Sequence, residues 1–448
     1  MKKICYRAFV SYAVILPMLL ILSSCSNDDY LNAIPENSTA LLAVDVQNLS
    51  DKDMSERIAD LLETKDIGDC GLDLSSKIYL FETIEGNIGF SAKVADDGEL
   101  EKCMGRLEKK GYCQNVSEYK DFKFSVIKDA WVAGFSPNAL IVMGPALPAQ
   151  QSELKQQIAK YLGNSEEQGI KNSPLFARLD SMNSPVALVA KASALPEKLA
   201  VPFTLCAPKD ADASQIMIAA ELDTSDKTCL TIRGESFSFD KDIDNELRAS
   251  NSIFRPIKGA YVGNVPGNSF AGIFMNVDGS QFIKLLHSNK TFQALLAGMN
   301  MAVDMDNIIK SFDGDVAMFI PSEKGEKGWG MAAKLKSKRF LDDVGYWKQS
   351  CPAGSKITDW DNDAYCFTDG ERAFYFGVSS DMQFYSGHSA DCAREILSKS
   401  ATPLLSGVQE KIKGERLAVF FNVRDLLGDN TFANELLGNA DTVLYFMK

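Results

Sequence analysis

Ile34-Pro35-Glu36-Asn37-Ser38-Thr39-Ala40 and Val265-Pro266-Gly267-Asn268-Ser269-Phe270-Ala271 open two stretches of this chain in the same way. The strand-like residues behind them, Leu41 to Val46 and Gly272 to Val277, keep the same offset of 231. A period of this kind decides the fold before any local reading does, because each copy must build the same core. Working outward, Ile78-Tyr79-Leu80-Phe81 answers Val316-Ala317-Met318-Phe319 at offset 238. Gly89 with Ala92-Lys93-Val94 answers Gly330 with Ala333-Lys334-Leu335 at 241, where Leu100 also meets Leu341, Val116 meets Ile357 and Tyr119 meets Trp360. Gly134, Ser136 and Gly144 meet Gly377, Ser379 and Gly387 at 243; Ser173-Pro174-Leu175 then faces Thr402-Pro403-Leu404, and Ala187 faces Ala418 at 231 again.

Small steps in offset with ordered matches between them are what duplication of a whole domain produces. The repeats are read as 34–257 and 258–448, and they are unequal. Gln215 to Leu222 and Thr228 to Phe239 read as strands that follow the first unit, whereas the second ends at Val443-Leu444-Tyr445-Phe446. The second repeat therefore lacks a last strand and helix, and its sheet is expected to end in an edge that the first unit or another protein covers.

Within each half, two periods alternate. Leu41 to Val46, Ile78 to Phe81 and Gly89 to Val94 read as strands, and Glu99 to Lys109 as an amphipathic helix with Leu100, Cys103, Met104 and Leu107 on one face. Short strands follow at Phe122 to Ile127, Trp131 to Phe135 and Ala139 to Met143, parted by turn residues such as Lys128-Asp129, before helical spacing returns over Gln150 to Leu162. Antiparallel strand runs with separate helices predict an α+β class: two related domains with mixed or antiparallel sheets.

The N-terminus carries an address. Lys2, Lys3 and Arg7 precede an apolar run, Ala8 to Leu22, that closes on Leu22-Ser23-Ser24-Cys25. The run is shorter than the roughly 20 residues that span a bilayer and has Pro17 inside, so it reads as a signal peptide over 1–24. These features resemble a bacterial lipoprotein signal. The resemblance implies cleavage before Cys25 and acylation of Cys25, palmitate being one such chain. Residues 25–33 then read as an acidic tether, and Ser26-Asn27-Asp28-Asp29 is similar to the export tag of surface lipoproteins in Bacteroidota. The expected location is the outer membrane by a lipid anchor, at the cell surface, with the periplasmic face as the alternative.

The lipobox, the Ile34-Pro35 opening with its strand and Asn48-Leu49, and the related segment Ser311-Phe312-Asp313-Gly314-Asp315-Val316 together resemble the uncharacterised Bacteroidota lipoproteins grouped as a domain of unknown function. The resemblance implies an envelope lipoprotein and brings no catalytic residues with it.

Composition removes several classes. The 60 acidic against 47 basic residues give a net charge of −13, which repels phosphate backbones and argues against a nucleic-acid partner. Of ten cysteines, Cys5 leaves with the leader and Cys25 is the lipid site. Cys103 with Cys113, Cys206 with Cys229, and Cys351 with Cys366 are close enough in sequence to staple adjacent elements, the other reading being buried thiols. Two histidines, His287 and His388, and no C-x-x-C leave little for a structural zinc site, and no cofactor is expected.

Catalytic patterns are sparse. His287 reads as part of a helical stretch and His388 as a loop residue, and no G-x-S-x-G is present. Ser152-Glu153-Leu154-Lys155 and Ser117-Glu118-Tyr119-Lys120 match S-x-x-K without the companion motifs of penicillin-binding enzymes. Asp359, Asp361 and Asp363 are the candidate metal ligands, although Ala364 and Gly370 stand where a calcium loop needs Gly and Glu, so a hairpin turn is the simpler reading. Met299, Met301 and Met305 read as helix packing. Tyr119 and Trp360 are the candidate ligand-binding platforms for sugar stacking, against aromatic packing of a turn. The expected function is a non-enzymatic binding or assembly lipoprotein of the envelope, attached to the membrane through Cys25, with an envelope protein or a glycan as partner. The alternatives are a glycan-binding surface lipoprotein and a hydrolase with paired carboxylates in a cleft between the repeats.

Overall fold

The computed structural model describes residues 28–48, 70–195, 203–204, 206–208, 211–223, 225–226, 228–288, 293, 296, 303–322, 328–423 and 441–448. The leader, Cys25, Met299 and Met301 lie outside them. Contacts divide the chain into two units, 1–47 with 58–177, and 48–57 with 178–448. The sequence repeat divides it instead at 257/258, so residues 178–257, which the repeat places in the first half, belong by contacts with the second unit.

The first unit contains β1 (Ala40–Val44), β2 (Ile78–Glu82), β3 (Ile88–Lys93), α1 (Asp97–Lys109), β4 (Ser117–Tyr119), β5 (Phe122–Ile127), β6 (Trp131–Phe135), β7 (Ala139–Gly144) and α2 (Gln151–Leu162). Its sheet runs β1-β2-β3-β7-β6-β5-β4, antiparallel throughout. Helix α1 forms where the sequence expects it. Asp96 caps its start by accepting from the Glu99 amide at 2.9 Å. At its end the amides of Gly111 and Tyr112 reach the carbonyls of Glu108 and Leu107, with Gly111 in the left-handed region. Its buried face, Leu100, Cys103 and Met104, covers a core that includes Val94, Phe135 and Leu140.

The stretch read as a tether is docked from Asp29 onward. Residues Asp29–Ala33 form a 3-10 turn with Tyr30, Leu31 and Ala33 buried, and the Tyr30 hydroxyl donates to the Lys77 carbonyl at 2.9 Å. Pro35 then bridges Gly169, where a β-carbon would lie 2.6 Å from Asn32 Cα. Burying two large apolar side chains is enough to end the tether early.

The second unit adds β8 (Val186–Lys191), β9 (Met217–Asp223), β10 (Cys229–Phe237), α3 (Lys241–Asn251), β11 (Ser269–Asp278), α4 (Gly279–Ser288), α5 (Met305–Lys310), β12 (Phe312–Pro321) and β13 (Gly330–Leu335). It continues with α6 (Val344–Ser350), β14 (Lys356–Asp361), β15 (Ala364–Thr368), β16 (Ala373–Val378), β17 (Gln383–Gly387), α7 (Ala390–Glu395), α8 (Ser406–Ile412), β18 (Leu417–Asn422) and β19 (Thr442–Met447). Its strands run β8-β9-β10-β19-β18-β11-β12-β13-β17-β16-β15-β14. One core, with Phe282, Ile283, Ile308 and Phe312, lies under α4, α5 and α6; another, with Phe274, Phe319, Ile396 and Val408, lies under α7 and α8. Both faces of this sheet are thus covered, which suits the apolar runs of β12 and β18.

The run β11-β12-β13-β17-β16-β15-β14 repeats the order of the first unit strand for strand. In the first unit Leu41 stands opposite Phe81 and Phe81 opposite Gly89; in the second, Gly272 stands opposite Phe319 and Phe319 opposite Gly330. Each glycine lies under its phenylalanine ring. A β-carbon at Gly89 would come within 2.2 Å of the Phe81 ring, and one at Gly330 within 2.4 Å of the Phe319 ring. One match needs correction: Met143, not Gly144, is the counterpart of Gly387, since Gly89 pairs Met143 while Gly330 pairs Gly387. The cause is the hairpin before it. Residues 136–138 link β6 to β7, and the four residues 379–382, with Met382 left-handed, link β16 to β17. One added loop residue moves the last strand of the hairpin by one.

The edge expected at the end of the second repeat is closed by the chain itself. Strand β10 pairs β19 in parallel, from Cys229 opposite Thr442 to Gly234 opposite Met447, and pairs β9 on its other side. The outer strands are blunted differently. Strand β4 has three residues, and β14 carries Lys356, Asp359 and Asp361 with a bulge at Trp360. Shortness, charge and a bulge each discourage further pairing.

Candidate functional site

The polar residues that the sequence singles out gather around the β14–β15 hairpin of the second unit. Asn362 and Asp363 make its turn, with Asp363 left-handed at φ 50° and the Asn362 amide donating to Asp361 Oδ1 at 2.8 Å. Asp359, Asp361 and Asp363 do not converge. Asp359 meets Lys348 on α6 at 2.7 Å, Asp361 meets Arg394 on α7 at 3.0 Å, and Asp363 meets Lys338, from the loop after β13, at 2.7 Å. The Asn362 amide and then Arg394 hold the Asp361 carboxyl below its ordinary range. Three carboxylates with three separate cations make pegs between elements, and among the described residues no group of three His, Cys, Asp or Glu is placed to hold a metal.

The two aromatic platforms are half-buried and carry cations. The Arg394 guanidinium lies over the Trp360 ring at 4.3 Å, with Tyr375 edge-on at 5.4 Å. In the first unit the Lys155 ammonium lies over Tyr119 at 5.4 Å and over Phe124 at 4.9 Å. Lys155 and Arg394 sit on α2 and α7, the helices that follow the last hairpin of each repeat. Each ring thus carries a cation from the helix after its hairpin, although the ladder aligns Ser117, not Tyr119, with the end of β14: Ser117 stands opposite Phe124 and Asp361 opposite Ala364. Lys155 also donates to Ser117 Oγ at 3.2 Å, so the lysine of one S-x-x-K motif meets the serine of the other, with its ammonium spread over two rings.

Beside the hairpin is a surface groove of about 570 Å³ lined by Lys336, Lys338, Arg339, Asp363, Tyr365 and Met382, among others. Lys336 is tied to Asp278 at 3.6 Å and donates to Ser280 Oγ at 3.0 Å. Burial first, and then Asp363 and Asp359, raise the Tyr365 hydroxyl above its ordinary range. Three cations line it with two carboxylates, Asp342 and Asp363, and two of the three cations are already paired, Lys336 with Asp278 and Lys338 with Asp363. The signal for it in the sequence was the basic run Lys334, Lys336, Lys338 and Arg339.

The histidines have structural partners. His287 Nε2 is 2.7 Å from Asp306 Oδ2 at the surface, and His388 Nδ1 accepts from the Trp329 amide at 3.2 Å. The sequence-adjacent pairs 103/113, 206/229 and 351/366 are not joined in this structure. Burial raises Cys206 to about 12. Met305 is buried in α5.

A family model described as a domain of unknown function, DUF4836, matches residues 30–403. No curated protein matches. Among solved structures, crystal form IV of TP0453 is similar at 8% identity and a TM-score of 0.26, over 42% of this chain and 70% of that one. Crystal form I of TP0453 gives 7% identity and a TM-score of 0.26 over 82% and 95%. No helix among the described residues is long and apolar enough to cross a membrane.

Proposed function

We propose that this chain, which belongs to the DUF4836 family, is a lipid-anchored lipoprotein of the cell envelope with a non-enzymatic binding or assembly role. The observation that carries the reading is Leu22-Ser23-Ser24-Cys25 behind a short, Pro-interrupted apolar run with a basic start. Several acyl chains at Cys25, at about 0.8 kcal/mol per buried methylene, hold a protein on a bilayer without a spanning helix. The short acidic stretch after Cys25 supports the outer membrane of a Bacteroidota cell and exposure at its surface. The common strand order and the paired glycines Gly89 and Gly330 support duplication of one domain over 34–257 and 258–448.

Support for a binding role comes from how the polar candidates are used. Asp359, Asp361 and Asp363 each neutralise a cation that pins one element to another, which occupies them structurally. The cations over Tyr119 and Trp360 weigh against sugars stacking on those faces.

The test is labelling of growing cells with an alkynyl palmitate analogue, followed by detergent-phase partition of the chain and of its Cys25→Ala variant. The expected result is label and detergent-phase recovery for the parent and loss of both for the variant. Label that survives Cys25→Ala, or an aqueous parent chain, sinks the anchor. Shaving intact cells with protease then separates the outer face, where the chain is digested, from the periplasmic one, where it is spared.

A further inference from the structure

We propose that Cys70 and Cys103 are a disulfide site, oxidised by a disulfide-bearing oxidant as the chain folds. The pairing suggested by sequence spacing is Cys103 with Cys113; the fold points elsewhere. Gly71, left-handed at φ 75°, lies so close to α1 that a β-carbon on it would stand 2.3 Å from the Asp96 carbonyl oxygen and 2.5 Å from the Leu100 amide. The same segment is clamped by its backbone. The Gly71 carbonyl accepts from Ala95 and Asp96 at 2.9 and 3.1 Å, and Leu72 bridges Val94. Cys70 is thereby pressed against the helix, and Cys103 stands one turn beyond Leu100. The two form a buried cluster of their own, 1% and 3% exposed, flanked by Leu72 and Leu74. Cys113, in contrast, is half-buried and directs its thiol to the Met104 carbonyl at 3.4 Å.

The chemistry balances with an oxidant of one class, a small-molecule or protein disulfide. A thiolate of one cysteine attacks the oxidant and forms a mixed disulfide. The second cysteine's sulfur then displaces it, so that one Sγ–Sγ bond forms, two protons leave, and the oxidant departs as two thiols. Burial raises both thiols above their ordinary range, which slows exchange in the folded unit. Once formed, the bond is shielded by the same burial. It joins the approach to β2 with α1 and encloses β2 and β3, where a cross-link restrains the unfolded chain most usefully. The site is independent of the lipid anchor.

The full chain, unfolded and reduced, is refolded with a reduced and oxidised glutathione couple, alkylated, digested without reductant and mapped by mass spectrometry. The expected result is a linked peptide pair containing Cys70 and Cys103, with a melting temperature that falls by about 5 °C on reduction in the parent and is unmoved by reductant in the Cys70→Ser, Cys103→Ser double variant. Alkyl groups on both Cys70 and Cys103, or a link from Cys103 to Cys113, overturn the proposal. The peptide map on the parent chain decides the matter even where a serine variant does not fold.

Discussion

The seven strands from β1 to β7 and the seven from β11 to β17 share order, direction and the glycine beneath a phenylalanine, yet they are finished with different chemistry. In the first unit, β5 and β6 bring Phe124, Val126, Val132 and Ala133, and the core under α1 is mainly aliphatic. In the second, Phe374 and Phe376 stack at 5.3 Å, Tyr365 meets Phe376 at 5.6 Å, and Trp329 meets Phe374 at 5.7 Å. What the two runs share is a position where the pleat leaves no room for choice, namely a residue without a side chain under a ring. What differs is how the surrounding volume is filled, with aliphatic side chains in one unit and aromatic rings in the other.

That comparison is broken most forcefully at the glycines. Gly89→Val and Gly330→Val each drive a side chain into a phenylalanine ring, and each is expected to destabilise its unit by about 3 kcal/mol or more, read as a lowered denaturation midpoint. If one is tolerated and the other is not, the two positions are not equivalents.

A slightly smaller effect is expected where the units differ. Asp315 is 4% exposed and accepts from the amides of Lys258 and Ala260 at 2.9 and 2.8 Å and from Asn276 at 2.8 Å, while Arg255 braces Asn276 at 2.9 Å. Its counterpart at offset 238 is Lys77, so this network belongs to the second unit alone. Asp315→Ala leaves buried donors without an acceptor and is expected to cost about 2 to 3 kcal/mol, with the first unit's transition unmoved in calorimetry. Loss in both transitions would show that the network serves more than its own unit.

Acid sharpens the comparison from the other side. Asp73 in the first unit is lowered to about 2, first by its hydrogen bond to Lys93 and then by Ser75; Asp226 in the second is lowered to about 2, first by Lys411 and then by Thr228. A depressed carboxyl stabilises the fold above its unfolded value near 4, and that support is lost as pH falls from about 4 to about 2. For Asp73, 22% exposed beside a Lys93 that is 12% exposed, the effect is about 1 to 2 kcal/mol, and Asp73→Asn should remove it at pH 7. Asp226 is 36% exposed and, allowing for solvent screening, should contribute less than about 1 kcal/mol. Equal acid sensitivity of the two variants would contradict this ordering. The smallest effect belongs to the cations over the platforms. Coupling energies of about 0.5 to 1 kcal/mol are expected for Trp360 with Arg394 and for Tyr119 with Lys155 in double-mutant cycles, and zero in either would remove that likeness between the repeats.

Much of the fold was legible because its hairpins are local. Phe122 to Ile127, Trp131 to Phe135 and Gln150 to Leu162 fall within a residue of their elements, and the α1 face of Leu100, Cys103 and Met104 is the buried one. The parallel join of β10 to β19 carried no local signal, since its partners lie more than 200 residues apart and each reads as an ordinary strand. The register at Gly387 was obscured by a single loop residue. At the candidate site, sequence supplied the residues and missed their directions. The bulge at Trp360 and three cations from three different elements send Asp359, Asp361 and Asp363 apart, which spacing along one strand cannot reveal.

The early docking of the chain at Asp29 sets a length scale for the anchored protein. With the acyl chains on Cys25, as proposed, only three residues, and so four Cα steps, lie between it and the 3-10 turn at Asp29 that holds Tyr30 and Leu31. Fully extended, they reach about 14 Å. If the proposed anchor is present, a mooring so short holds the start of the first unit close to the headgroups, and it moves chiefly by sliding in two dimensions.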